Sequence, residues 1–406
     1  MLCLLALVVI LSYPQLLVRF GGTGLVPEQD WQEALSPAAR TLLQEALAEI
    51  DSPALVDVHT HLAGLGADNS GCEVHPHMRT WSNPKGKVRF DLYLKASGVR
   101  DVEAADSQYA QRLGGLLDTS GHAGRYCLLA FDHAYFPDGS IDLAGSEFFV
   151  PNEYVWQVAE ALGARALPAM SVHPYRKDAL QQLEHWAGRG GRMVKWLPNS
   201  MGMDPASPAC DAYYDKLVEL DLTLLTHTGE EQAVDAEERQ AFGNPLRLRR
   251  ALDRGVRVIA AHCATLGHDL DLDLPAEEQV RRPSFELFLR MMDEPRYEGL
   301  LFGELSAITQ FNRYDGPLRT LLERRDLHAR FVNGADYPLP AINAVIRLAP
   351  LVEAGLLPAA EVEPLREIFD KHPLVFDLVL KRRLRHPLSG RGFAAEAFLV
   401  PDAFGF

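Results

Sequence analysis

The stretch VDVHTHL, residues 56–62, ends an apolar run in two histidines one residue apart, His59 and His61. In an extended strand, residues i and i+2 face the same side. The two imidazoles therefore converge. Paired nitrogen donors of this kind suit a borderline divalent ion such as zinc, with polar packing as the other use of such a pair. More polar residues stand in apolar surroundings downstream. His227 falls late in LTLLTHTG, His262 late in VRVIAAHCA and Asp336 late in ARFVNGADYP. Lys195 sits inside GRMVKWLP, where an unpaired buried ammonium is rarely tolerated. Gathered at one place, such groups can hold one or two divalent ions, activate a water and move its proton.

Weaker candidates carry two readings each. Asp132 and His133 close the run YCLLAFDHAY, and His173 closes ARALPAMSVHP with Arg176 close behind. They are expected as substrate contacts or as loop hydrogen-bonders. Glu230, in HTGEE, is a substrate contact, a carboxylate orienting a ligand histidine, or a solvated loop acid. Glu304 is an acid inside LLFGELSAI and calls for a cation or the metal site. Arg247 and Arg249 read as a basic helix face rather than anion binders, and His75 and His77 as lid polarity because a proline separates them. Cys263 follows His262, points away from it and is expected as a buried thiol.

The elements that must position these groups follow from hydropathy. Eight short apolar runs alternate with longer amphipathic stretches: 54–62, 126–135, 164–174, 191–198, 222–229, 256–264, 300–308 and 329–338. Each suits a strand buried on both faces. Helices are expected over 152–163, 176–188, 210–220, 245–255, 283–293 and 339–355, with proline near several starts and glycine near several ends. Such alternation means parallel strands joined by right-handed crossovers. Eight units predict an α/β fold, a closed (β/α)8 TIM barrel. A doubly wound sheet is the runner-up, but no GxGxxG or GxxxxGK[ST] follows an early strand. The chemistry-bearing residues then share the C-terminal ends of strands one, four, five, six and eight, the end where such barrels place their sites.

The chain divides into an apolar segment 1–20, a helical extension 21–53, the barrel 54–360 with an insertion 63–125 over its mouth, and a C-terminal helix and tail 361–406. MLCLLALVVILSYPQLLV, residues 1–18, is uncharged and sits at the short edge of the ~17–25 residues of a membrane span. It is expected to anchor the chain at a membrane or to serve as an export signal, so that the domain is membrane-anchored or exported, periplasmic in a bacterium. A terminal helix packed on a cytoplasmic domain is the alternative. Fifty-five acids against 40 bases give a net charge of −15, which excludes a nucleic-acid partner and leaves a small-molecule substrate. Five scattered cysteines without a CxxC pair argue against a disulfide framework or a cysteine zinc site.

With HxH on the first strand, Lys on the fourth, His on the fifth and sixth and Asp on the eighth, residues 54–380 resemble the amidohydrolase superfamily. The likeness is greatest to its branch of amidohydrolase-related TIM-barrel hydrolases and decarboxylases. The resemblance implies His59, His61 and Asp336 as ligands of one metal. It implies His227 and His262 as ligands of a second metal, or as one ligand and one catalytic group. It makes Lys195 the candidate for a carboxylated bridging lysine in a two-metal site, and Asp336 and His262 the catalytic pair. It implies a hydrolase acting on a lactone, ester or amide. A single-metal decarboxylase, with Arg176 receiving the substrate carboxylate, is the alternative on the same scaffold, and an idle membrane-bound binding barrel is the third reading.

Overall fold

The computed structural model describes residues 13, 15–17, 19–22, 24–234 and 236–406. Eight parallel strands form where the eight apolar runs lie. They are β1 (Val56–His61), β2 (Arg125–Leu129), β3 (Ala166–Ala169), β4 (Met193–Trp196), β5 (Thr223–Thr226), β6 (Arg257–Ala260), β7 (Leu301–Glu304) and β8 (Phe331–Val332). Pairing runs β1–β2–β3 in one sheet and β4–β5–β6–β7–β8 in the other. Two seams close the ring. Met170 and Val194 form a parallel bridge, with Lys195 N donating to Met170 O at 2.8 Å. At the other seam Val58 N donates to Asn333 O at 3.0 Å and Asp336 N to His59 O at 2.7 Å. The barrel is therefore continuous, and Asp336 is tied to the histidine strand by its own backbone.

The barrel interior is filled by Val56, Val58, Leu129, Met193, Leu225 and Phe302, and Val400 and Phe404 of the C-terminal tail seal its floor. Inward positions alternate, so Met193 carries Lys195 to the inside, Leu225 carries His227 and Phe302 carries Glu304. Strand β1 departs from that alternation. Val56 and Val58 face inward, and yet His59 and His61 also reach the mouth. The change of parity coincides with a register shift between Asp57 and Thr60, the kind of irregularity that re-aims a side chain. The buried Asp57 carboxylate secures the shift by accepting from His59 N and Ala335 N, both at 3.0 Å.

Helices α4 (Asn152–Leu162), α5 (Ala179–Gly188), α6 (Asp211–Glu219), α7 (Ser284–Met292) and α8 (Asp315–Glu323) occur between successive strands from β2 onward. Three helical expectations need correction. The 245–255 stretch holds a 3₁₀ turn, Pro245–Leu248, and only the short helix Arg249–Leu252. The 339–355 stretch breaks into Leu339–Ala341 and Leu348–Glu353, because Phe311 N donates to Val345 O and Gln310 bridges Ile346. The C-terminal helix is two, α9 (Val362–Lys371) and α10 (Pro373–Arg383). Pro373 forbids helical backbone at His372, whose Nδ1 instead caps α10 by accepting from Val375 N.

The 63–125 insertion builds α2 (Pro84–Ala96) and α3 (Ala105–Asp118), and its Glu73–Val74 pairs antiparallel with Phe148–Phe149. Helix α1 (Pro37–Leu47) packs on α9 and α10, with Ser36 N donating to Glu367 and Arg382 Nε to Ala46 O. Most of the expected apolar segment 1–18 lies outside the described residues. Among the described residues, no helix is long and apolar enough to cross a membrane.

Candidate metal centre

Three donor atoms converge at the mouth. His59 Nε2 lies 3.2 Å from His61 Nε2 and 3.5 Å from Asp336 Oδ1, and His61 Nε2 lies 3.2 Å from the same oxygen. His59 is 1% exposed and Asp336 7%. His59 Nδ1 faces Glu304 Oε2 at 3.3 Å, which assigns the proton to Nδ1 and leaves a lone pair on Nε2. Imidazole nitrogens and a carboxylate oxygen held this close need a proton or a cation between them, and one divalent ion serves all three at once. Bonds of about 2.1 Å place neighbouring ligand atoms roughly 3.0–3.4 Å apart, close to the observed spacing. The residues fit a divalent ion.

A second histidine pair stands beside the first. His262 stacks on His59 with ring centroids 5.1 Å apart and meets His227 edge-on, also at 5.1 Å. A left-handed backbone through His262, Cys263 and Ala264 turns the His262 ring toward the mouth. Its Nδ1 meets Ser306 Oγ at 2.7 Å, and Glu304 accepts from His262 N and from Ser306. Glu304 thus braces both His59 and His262, and these three residues form another group whose ligand atoms cluster. His227 Nδ1 faces Glu231 Oε2 at 3.3 Å, while its Nε2 is buried without a hydrogen-bond partner. A buried nitrogen left in that state calls for a metal or a substrate donor. Lys195 Nζ lies 2.9 Å from His59 Nε2.

Burial sets the charge states. It lowers His61 to about 4 and His227 and His262 well below the usual histidine value, so all three are neutral, as ligands must be. Burial also lowers Lys195 to about 8, against the pull of Asp336, Glu304 and Glu231. For Asp336 burial acts upward, but His59 and the His61 hydrogen bond outweigh it and hold the carboxyl well below its ordinary value.

All six expected metal-site residues thus meet at one cavity: His59, His61, Lys195, His227, His262 and Asp336. The four expected substrate contacts do not border it. His173 is fully buried, its Nε2 on Met201 O and its Nδ1 accepting from Tyr175 N. Arg176 is held by Asp132 and Asp178. Asp132 also accepts from the backbones of His133 and His173, so this group fastens the ends of β2 and β3 together. The His133 ring stacks on Phe149 at 3.9 Å. Glu230 bonds Gln232, and its neighbour Glu231 holds the histidine instead. Arg247 and Arg249 pair with Asp204 and with Asp273 and Glu294. His77 pairs with Glu147 at 3.1 Å, and Cys263 is a buried free thiol.

Besides Glu231, three residues here carried no expectation. Ser306 and Asp57 position other groups, and Arg313 is a buried guanidinium whose Nε and Nη1 have no hydrogen-bond partner. Its charge is among the influences that lower His227 and His262. Ser306 has one legible signal, its place two residues beyond Glu304. Arg313 has none, because FNRYD reads as an ordinary polar loop.

No curated protein matches the chain. Similar solved structures include an uncharacterized TIM-barrel protein from Bordetella bronchiseptica, at 15% identity over 70% of this chain and 86% of that one, with a TM-score of 0.44. A probable 2-pyrone-4,6-dicarboxylic acid hydrolase from Acinetobacter baumannii shares 13% identity over 87% and 99%, at 0.43. The 5-carboxyvanillate decarboxylase of Sphingomonas paucimobilis shares 12% over 81% and 97%, at 0.42. The amidohydrolase family model matches residues 56–341, a span that runs from the first barrel strand past Asp336, and the chain belongs to the amidohydrolase family.

Proposed function

We propose that this enzyme is a metal-dependent hydrolase that cleaves a C–O or C–N bond of a small lactone, ester or amide. The observation that carries the reading is the convergence of His59 Nε2, His61 Nε2 and Asp336 Oδ1 within 3.5 Å of one another at the barrel mouth. These three residues hold the ion, and His227 Nε2 is the further donor. Zinc suits this set of nitrogen and oxygen donors. A divalent ion held there supplies Lewis acidity, polarising a carbonyl and lowering the pKa of a water toward about 7. Asp336 accepts the proton of the attacking water and returns it to the leaving group. His262, steadied by Ser306, faces the same space and donates to or accepts from the substrate. Lys195 stays beside His59 and is the group whose carboxylation would admit a second ion.

The decarboxylase alternative asked for a free cation at Arg176, and that guanidinium is engaged by Asp132 and Asp178 away from the cavity. The hydrolytic reading is tested by replacing His59 or Asp336 with alanine and assaying bound zinc and ester or lactone turnover together. Both variants are expected to lose the ion and at least roughly a thousandfold in kcat/KM, the scale of a lost electrostatic stabiliser. Full turnover in both would overturn the assignment. An unmodified Lys195 ammonium in the electron density of a crystal structure of the zinc-loaded protein would exclude the bridged two-ion form.

A further inference from the structure

We infer that the substrate carries an uncharged hydrocarbon or aromatic group next to its scissile carbonyl, seated in the cavity beneath the insertion. This deepens the hydrolytic reading and rests on it. The cavity has a volume of about 170 Å³, and its lining joins two unlike sets of residues, here called its ends. One end is the donor cluster. The other is walled by Val74, Met78, Phe90, Leu94, Val99 and Phe148, of which all but Phe148 come from the insertion.

Apart from the neutral hydroxyl of Ser97, the polar groups along that wall are already committed. Tyr93 Oη donates to Ala233 O at 3.1 Å and Tyr109 Oη to His61 O at 2.6 Å, so both tyrosines present rings rather than hydroxyls. The Glu231 carboxylate accepts from Ala233 N and Val234 N and faces His227. Among the described residues, Lys195 is the only cationic side chain on the lining other than the histidines, and it sits at the donor end beside His59. A carboxylate carried on the far part of a substrate would lose its hydration there with nothing in exchange. A methylene chain or a ring gains by the same burial.

The test separates this inference from the reaction. Equilibrium binding of straight-chain monocarboxylates, butyrate to octanoate, to the zinc-loaded full chain is compared with binding of α,ω-dicarboxylates of equal length. Monocarboxylate affinity is expected to rise about four-fold per added methylene until the cavity is full, with no such gain in the dicarboxylates. Leu94→Lys, at a half-buried wall position, is expected to weaken octanoate and to strengthen octanedioate roughly five-fold. Circular dichroism checks its fold, and the native series decides the matter if the variant misfolds. Equal affinities for the two series, or no dependence on chain length, would overturn the inference. A graded monocarboxylate series with no ester, lactone or amide turned over leaves the cavity assignment standing and removes the hydrolytic reading alone.

Discussion

Among the candidate ligand histidines, His59 leans on Glu304 and His227 on Glu231, and that support is measurable one residue at a time. Glu231 holds His227 at 3.3 Å, buried on all sides, whereas Glu230 points to Gln232 in solvent. Removing a carboxylate that orients a ligand histidine typically costs 10–100-fold in metal affinity. Glu231→Gln is therefore expected to weaken zinc binding by about that factor in a chelator competition titration, and Glu230→Gln to leave it unchanged. A silent Glu231→Gln variant would remove His227 from the ligand set. The sequence reading singled out Glu230 from HTGEE and missed Glu231 by one residue, because no periodicity governs a loop. Glu304 was more legible, since an acid inside an apolar strand needs a partner. Arg313 was invisible, because its importance comes from burial that a polar loop sequence does not announce.

At the scale of elements, the barrel strands were legible because runs buried on both faces are continuous in hydropathy and short in length. Their C-terminal ends then bring the six candidate residues to one cavity. The parity change in β1 was not legible. It depends on Asp57 bonding two backbone amides, one in β1 and one in the loop after β8, a tertiary arrangement with no local signature. The same holds for the split helix at 339–355, where pairing with Gln310 and Phe311 overrides a good amphipathic pattern. One buried ion pair fastens α10 to the strand that delivers Asp336. Lys381 Nζ donates to Gly334 O at 2.6 Å and to Asp377 at 2.5 Å, with both side chains almost fully buried. Lys381→Met leaves Asp377 uncompensated and is expected to cost about 3–5 kcal/mol in denaturant unfolding. Adding Asp377→Leu should recover part of that loss. A single variant as stable as the native chain would show that this pair does not secure β8.

At the scale of the whole molecule, three histidines away from the metal centre predict acid sensitivity. Burial lowers His122 to about 4 and His173 and His372 to about 3. In the unfolded chain each takes a proton near pH 6.5. Between about 6.5 and the folded values the unfolded state binds more protons, so stability falls as pH falls through that window. Each such histidine contributes at most about 1.4 kcal/mol per pH unit. The expected result is a thermal midpoint that falls from pH 6 to 4, the histidine loss being partly offset by Asp57 and Asp377, whose carboxyls burial raises to about 7 and about 6. Replacing His372 with Asn should flatten the slope even if it lowers the midpoint. An unchanged slope would show that His372 does not drive the transition.

The insertion that roofs the mouth has a wider consequence. The reactive groups hang on barrel strands and on the short turns that follow them, whereas most of the opposite wall belongs to a single excursion of the chain between β1 and β2. Diet and reactor are thus written in separate stretches of the gene. Recombination that exchanged residues 63–124 alone would hand the same catalyst a new menu.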